Sequence, residues 1–360
     1  MKKLLLATAV AALSVSAANA APTVYGKAFL ALDYVNADFN ATAAGEDFDE
    51  NTVEINSHSS RLGFKGSEAM TANTDVIYQL EYGTSIDGDN DTFSNRDTYL
   101  GINNKQFGEF RVGKNQSSLA RIDNVVVNQG YFDNLGQTQN EKEVVSALNM
   151  ADSNRIASSI IWTAPKYDGL PLEISAMYSS DDVNGNDNAG FGVAALFDQG
   201  TGFTAGLAYD KDQNIVGDII RGTATVDLGK YMAAPITLGA LYQVADYDFA
   251  GSEKEKGLVV SAQMGLNNFA RPASIYTQYN NTTNLNGFDN ADSDQIVVGG
   301  KYFFKDNIIA HAYAGMNKAD NVGYTYNTGT KDPITNKDIY LTAGGDAEVF
   351  VIGTGLEYLF

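Results

Sequence analysis

Gly26-Lys27-Ala28-Phe29-Leu30-Ala31-Leu32-Asp33-Tyr34 decides the fold. Ala28, Leu30, Leu32 and Tyr34 fall on one side of a period-two repeat, and Lys27, Phe29, Ala31 and Asp33 on the other. Strict alternation means an extended strand, since successive side chains point to opposite faces. Charges on one face exclude a strand buried on both sides. An apolar face backed by a charged one suits a sheet with lipid outside and water inside.

The same template extends along the chain. It predicts strands near 24–36, 53–66, 74–82, 96–103, 107–114, 155–163, 172–179 and 190–197. It continues with 202–210, 217–228, 235–246, 256–266, 273–281, 294–304, 307–317 and 347–360. That makes sixteen, an even number as bacterial outer-membrane barrels have. The fold class expected is all-β, a single transmembrane antiparallel β-barrel over residues 21–360. Short connections (103–106, 198–201, 229–234, 305–306) alternate with long ones (37–52, 83–95, 115–154, 318–347). Short periplasmic turns and long outer loops are the rule for such barrels, so both termini are expected at the periplasmic rim.

Composition agrees. Lys2 and Lys3, an apolar run over residues 4–13 and Ala18-Asn19-Ala20 read as a cleaved export signal over residues 1–20. Beyond it, no apolar run is long enough for a spanning helix. The remaining 22 basic and 44 acidic residues give a net charge of −22, which argues against nucleic acid as a partner. The sequence has no cysteine, hence no disulfide framework. Gly (35) and Tyr (20) are abundant and Pro (6) is rare, which fits one large closed sheet better than two helical domains.

Several blocks resemble the general, trimeric porins of Gram-negative bacteria. They are Val24-Tyr25-Gly26-Lys27, Ser60-Arg61-Leu62-Gly63-Phe64-Lys65-Gly66-Ser67-Glu68, Tyr78-Gln79-Leu80-Glu81, Arg96-Asp97-Thr98-Tyr99-Leu100-Gly101-Ile102 and Phe107-Gly108-Glu109-Phe110-Arg111-Val112-Gly113-Lys114. Phe360 matches that family's terminal assembly signal. The resemblance implies an outer-membrane homotrimer, associated with lipopolysaccharide, that passes small hydrophilic solutes and ions without any cofactor. It implies a third outer loop, 115–154, folded into the lumen. It implies a basic wall of Lys27, Arg61, Arg96 and Arg155 opposite loop carboxylates, of which Asp123 and Asp133 are the expected pore-facing ones. Glu141 and Glu143 flank Lys142 and read as loop surface, and Arg121 stands close enough in sequence to pair with Asp123. Phase supports the wall: Arg61 opposes Leu62 and Phe64, and an arginine facing lipid at mid-bilayer costs about 2–4 kcal/mol.

Other chemistries leave weaker traces. Neither His58 nor His311 sits in a catalytic motif, and no Cys-x-x-Cys, His-x-x-x-His or Walker loop is present. Asp87-Gly88-Asp89-Asn90-Asp91 hints at a calcium loop, but Thr98 stands where the bidentate Glu belongs. The acidic outer loops read as solvated surface. A barrel protease or lipase is the rival reading, set aside because sixteen strands leave a lumen too wide for side chains to fill. A purely structural or adhesive barrel is the third reading.

Overall fold

The computed structural model describes residues 21–43, 47–88, 93–132, 147–166, 169–180, 189–331 and 338–360. Residues 1–20, read as an export signal, and Asp133, Glu141 and Glu143 lie outside them. One antiparallel sheet of seventeen ladder segments closes on itself: β1 (Thr23–Ala41), β2 (Phe48–Ser57), β3 (Arg61–Thr71), β4 (Thr74–Gly83), β5 (Ser94–Asn104), β6 (Gly108–Gln116), β7 (Arg155–Thr163), β8 (Leu172–Ser179) and β9 (Gly190–Asp198). β10 (Phe203–Lys211), β11 (Gly217–Asp227), β12 (Ile236–Tyr247), β13 (Glu255–Leu266), β14 (Ala273–Thr283), β15 (Asp292–Lys305), β16 (Ile308–Lys331) and β17 (Asp338–Leu359) complete it. β2 and β3 are two halves of one spanning strand, because both pair with the same edge of β1. Sixteen strands therefore span, and the period-two reading placed each of them.

The break between β2 and β3 has a local cause. Ser59 adopts φ 51°, which interrupts the pleat. The Ser60 hydroxyl accepts from Phe29 N at 2.9 Å and donates to Phe29 O at 3.2 Å. The side chain thus occupies the place of a ladder partner and leaves no buried backbone group unpaired.

β17 closes the barrel along β1, from Lys27 opposite Leu359 to Ala41 opposite Gly345. Beyond the ladder, Gly26 N donates to Phe360 O at 2.8 Å and Phe360 N donates to Gly26 O at 3.1 Å. The terminal residue is thus a backbone partner in the closure.

The alternation read at residues 26–34 holds around the barrel. Leu32, Val53, Leu100, Val112, Leu207, Ile220, Val298 and Leu356 are exposed, while Phe29, Asp33, Arg221, Gln243 and Gln295 are buried. An outer band of exposed aliphatics is a lipid-facing belt, not a soluble surface. Aromatics gather at both its edges. Phe107, Phe203, Phe304, Tyr358 and Phe360 lie toward the short-turn rim, and Tyr34, Tyr178, Phe191, Tyr242 and Tyr279 toward the other. Trp162 joins the first group, its indole N–H donating to Phe107 O at 2.7 Å.

Two expected connections are corrected. Residues 37–52 are mostly strand, since β1 runs to Ala41 and β2 starts at Phe48. Residues 318–347 are not a long loop but mostly strand, since β16 runs 24 residues and β17 22. About ten residues cross a bilayer, so this hairpin rises well beyond the lipid on the long-loop side. Its polar upper part carries no apolar phase to read.

Candidate functional site

The inner wall of β1 and β3–β7 gathers most of the expected basic residues. Arg61 opens β3 just after the Ser59–Ser60 break, with its Cα opposite Lys27 and Gly83. Arg96 sits where β5 bulges against β4. Leu80 opposes Thr98, but Tyr82 opposes Asn95, so Arg96 and Asp97 together face the single residue Glu81. A two-against-one bulge lets sequence neighbours share a face, and both side chains are part-buried on the lumen wall.

Glu81 is the centre of this patch. Its carboxylate accepts from Arg96 Nε at 2.7 Å and from the Tyr25 hydroxyl at 2.9 Å, and lies 3.8 Å from Arg61 Nε. Arg155 Nε donates to Asp97 Oδ2 at 3.1 Å. Lys27 lies 3.8 Å from Glu357 on β17 and 5.1 Å from the Phe29 ring centroid. Each expected cation thus has an acidic partner on the wall itself. Neither Glu81 nor Asp97 was expected at the site. Glu81 is in the inward phase and was legible in principle, whereas strict alternation places Asp97 outward.

The described parts of the connection between β6 and β7, residues 117–132 and 147–154, lie along the opposite inner wall. A 3-10 turn, Ser118–Ile122, packs Leu119 and Ile122 against Ala194, Ala208, Ile219 and Ala245. Val125 O accepts from Ser261, and Val127 N donates to Gln278. A second 3-10 turn, Gly130–Phe132, reaches β16, where Tyr131 N donates to the Tyr313 hydroxyl at 3.2 Å. Gly130 has φ +73°, and a Cβ there would lie 2.2 Å from the Tyr313 ring, so no larger residue fits. The return limb is tied as firmly. Leu148 exchanges two hydrogen bonds with Asn317, Asn149 contacts Gln295 and Asn280, and Ala151 N donates to Glu255. All these wall partners are buried, inward residues.

Asp123 is turned to that far wall. Burial pushes its carboxyl up to about 6, opposed by the positive charge of Arg221. Arg221 is fully buried, donating to Gln243 at 2.8 Å and to Ala151 O at 3.1 Å, with Asp152 at 3.9 Å. The expected Arg121–Asp123 pair is not formed among the described residues. Burial holds the Arg121 guanidinium below its usual range.

The two histidines are tied to carboxylates. His58 Nε2 lies 2.9 Å from Asp33 Oδ2, and the Tyr313 hydroxyl donates to the other oxygen of that carboxylate. This joins β1 and β16 to the break after β2. His311 Nε2 lies 3.0 Å from Glu357.

A closed sixteen-strand barrel with a lipid belt, a charged lumen wall and an inward-lying loop defines an outer-membrane channel. Residues 7–322 match the family of Gram-negative porins, and the chain belongs to that family. A major outer membrane protein P.IB of Neisseria meningitidis serogroup B is 26% identical over 331 residues, covering 88% of this chain and 93% of the relative. The P.IB protein of Neisseria sicca is 35% identical over 121 residues, about a third of each chain. Among solved structures, an anion-selective porin from Comamonas acidovorans superposes with TM-score 0.69 at 16% identity, covering 95% of this chain and all of that one. The trimer form of OmpT from Vibrio cholerae gives TM-score 0.57 at 16% identity, covering 95% and 100%. The protein is therefore an outer-membrane porin, a channel for small solutes.

Proposed function

We propose that solutes pass between the 117–154 loop and the wall bearing Lys27, Arg61, Arg96 and Arg155, and that this gap filters by size and charge. The observation that carries the reading is the loop's course. Its described parts are bonded to β11–β16 and packed on β8–β11, on the side of the lumen away from Arg61, Arg96 and Arg155. In a narrow passage with low-dielectric walls, fixed charges set selectivity. Here the wall has Lys27 and three arginines against three carboxylates, Glu81, Asp97 and Glu357, so its net charge is small and positive. Selectivity is then weak and favours anions locally, against the acidic background of the whole chain. The negative side of the field comes from the wall itself, since Asp123 is turned to Arg221.

The transport is passive, with no bond made or broken. The functional unit is a homotrimer with one pore per chain in lipopolysaccharide-containing membrane, and residues 1–20 are an export signal removed before assembly. The family and the trimeric Vibrio neighbour support the trimer. The test is swelling of proteoliposomes in neutral sugars of rising size. Entry falls steeply with size in wild type, and deleting residues 124–146 flattens that dependence. Equal size dependence in both proteins would overturn the constriction.

A further inference from the structure

We propose that Asp33 is a positioning residue for the pore: it fastens the 117–154 loop through Tyr313, and the proton on His58 controls how firmly. The inference rests on the reading that this loop bounds the passage. The juxtaposition joins side chains from distant parts of the chain. Asp33 lies on the inward face of β1, Tyr313 on β16, His58 in the break between β2 and β3, and Tyr131 on the second 3-10 turn of the loop. Asp33 and Tyr313 are buried, and His58 nearly so.

The direction of each hydrogen bond makes these contacts a relay. Asp33 Oδ2 lies 2.9 Å from His58 Nε2 and accepts from Asn56 Nδ2 at 2.8 Å, while Oδ1 accepts from the Tyr313 hydroxyl. A hydroxyl has one proton to give. With that proton on Asp33, the lone pairs of Tyr313 are left for the Tyr131 N–H of the loop, 3.2 Å away. An ionised carboxylate, which only accepts, keeps Tyr313 pointing this way. An amide in its place would set a donor against Tyr313, or against His58 and Asn56. The attachment of the loop is thus decided on β1, one residue removed from the loop's own contact.

Packing keeps room for the relay. A Cβ on Gly353 would lie 2.2 Å from Asp33 Oδ1 and 2.4 Å from the Tyr313 ring, and one on Gly130 would lie 2.2 Å from that ring. Glycines from β17 and from the loop therefore flank the tyrosine closely on two sides.

His58 supplies the control. A charged imidazole donates from both nitrogens, whereas a neutral one donates to Asp33 in only one of its two tautomers. The charge also strengthens the bond. His58 and Tyr313 use different oxygens of the carboxylate, so a tighter grip by one does not displace the other. The grip is therefore firm where His58 is charged and loosens as pH rises and the proton leaves. Other charged or titratable groups stand around the pair. They are Glu54 on β2, which shares Asn56 with Asp33, Arg61 at the start of β3, Tyr131 on the loop, and Asp87, which accepts from Ser57 N. His311 packs on the same Phe29 ring as His58, at 4.7 Å against 5.6 Å, but is tied to Glu357, beside Lys27.

Single channels in KCl are recorded at about pH 5.5 and about pH 8, on either side of the range where imidazoles change charge. The proteins are wild type, Y313F, D33N, H58Q and H311Q, and the melting temperature of each is measured in detergent. The readout is the frequency of brief sub-conductance excursions, which report the loop leaving the wall. In wild type the frequency rises with pH. Y313F keeps the ring and loses the hydroxyl, and its excursions are about fivefold more frequent, as for the loss of one neutral hydrogen bond. D33N, of nearly the same shape as wild type, changes in the same direction. H58Q retains a neutral donor and loses the pH dependence, whereas H311Q keeps it. A purely structural role would lower the melting temperature of Y313F and D33N with no change in excursions, and that result overturns the proposal. So does a pH dependence that persists in H58Q. The deletion of residues 124–146 separates the two readings. If it leaves the size dependence of sugar entry unchanged, the constriction itself fails; if it flattens that dependence while Y313F and D33N behave as wild type, only the relay fails.

Discussion

Arg96 donates its Nε–H to Glu81 across the β4–β5 bulge at 2.7 Å, and Arg61 approaches the same carboxylate from β3 at 3.8 Å. One acid thus answers two arginines on the lumen wall. The bulge gives Asp97 to Arg155 in the same way. The wall is a set of local charge pairs with a small positive excess.

Replacing Glu81 by Gln uncovers both arginines at nearly unchanged shape. The pore becomes more anion-selective. A unit charge about 7 Å from a permeating ion in water is worth about 0.6 kcal/mol, so anion and cation permeabilities each shift about threefold, in opposite directions. Reversal potentials in a KCl gradient measure it, and the shift shrinks at high salt. The Tyr25 hydroxyl also donates to Glu81; Tyr25→Phe removes no charge and leaves the permeability ratio near that of wild type.

Asp123 makes the loop's attachment depend on pH. Its carboxyl is raised from 3.8 to about 6 by burial, so the folded state holds this proton more tightly than the unfolded chain. The contribution to stability is full below about pH 4 and falls as pH rises toward 6, opposite to a salt-bridged carboxylate. Asp123→Asn removes that dependence. The apparent melting temperature of the variant, minus that of wild type, increases from pH 4 to pH 7 in detergent. A difference flat with pH would show that Asp123 is solvated.

Ser60 is expected to matter beyond its size. Its hydroxyl takes the place of a ladder partner for both backbone groups of Phe29. Ser60→Ala leaves the buried Phe29 N unpaired, at about 1–3 kcal/mol, while Phe29 O keeps the bond from His58 N. Ser60→Thr retains the hydroxyl and recovers part of that. Urea unfolding in lipid vesicles distinguishes the two variants.

Phe360 is bonded through its backbone to Gly26, and its ring fills the space above that glycine. Deleting Phe360 removes both closing bonds, whereas Phe360→Ala keeps them. The deletion lowers the yield of heat-resistant barrel on gels more than the alanine does. Equal losses would assign the effect to the ring as a signal in assembly.

The barrel was legible in the sequence because lipid imposes a rule on every second residue. Leu30, Leu32 and Tyr34 announce the outer face without any tertiary information. Where the strand leaves the lipid the rule lapses, and residues 318–347 therefore look like a loop. The basic residues of the wall were legible by phase and by resemblance. Their partners were harder. Asp97 needs a bulge that no periodicity shows, and Glu81 needs the register of β4 on β5 and β3. Arg221 is inward by phase, but its partner Ala151 lies seventy residues earlier in a loop with no repeat to read. Arg121 follows the same pattern. Its neighbour Asp123 suggests a pair, yet none forms among the described residues.

Single-channel recording in a KCl gradient, on wild type and on the variant with Arg61, Arg96 and Arg155 all changed to Gln, tests the central claim most directly. The account predicts discrete, large open steps in both, with the reversal potential displaced toward the cation limit in the variant. A folded wild-type barrel without steps, or an identical reversal potential in the two proteins, would contradict it.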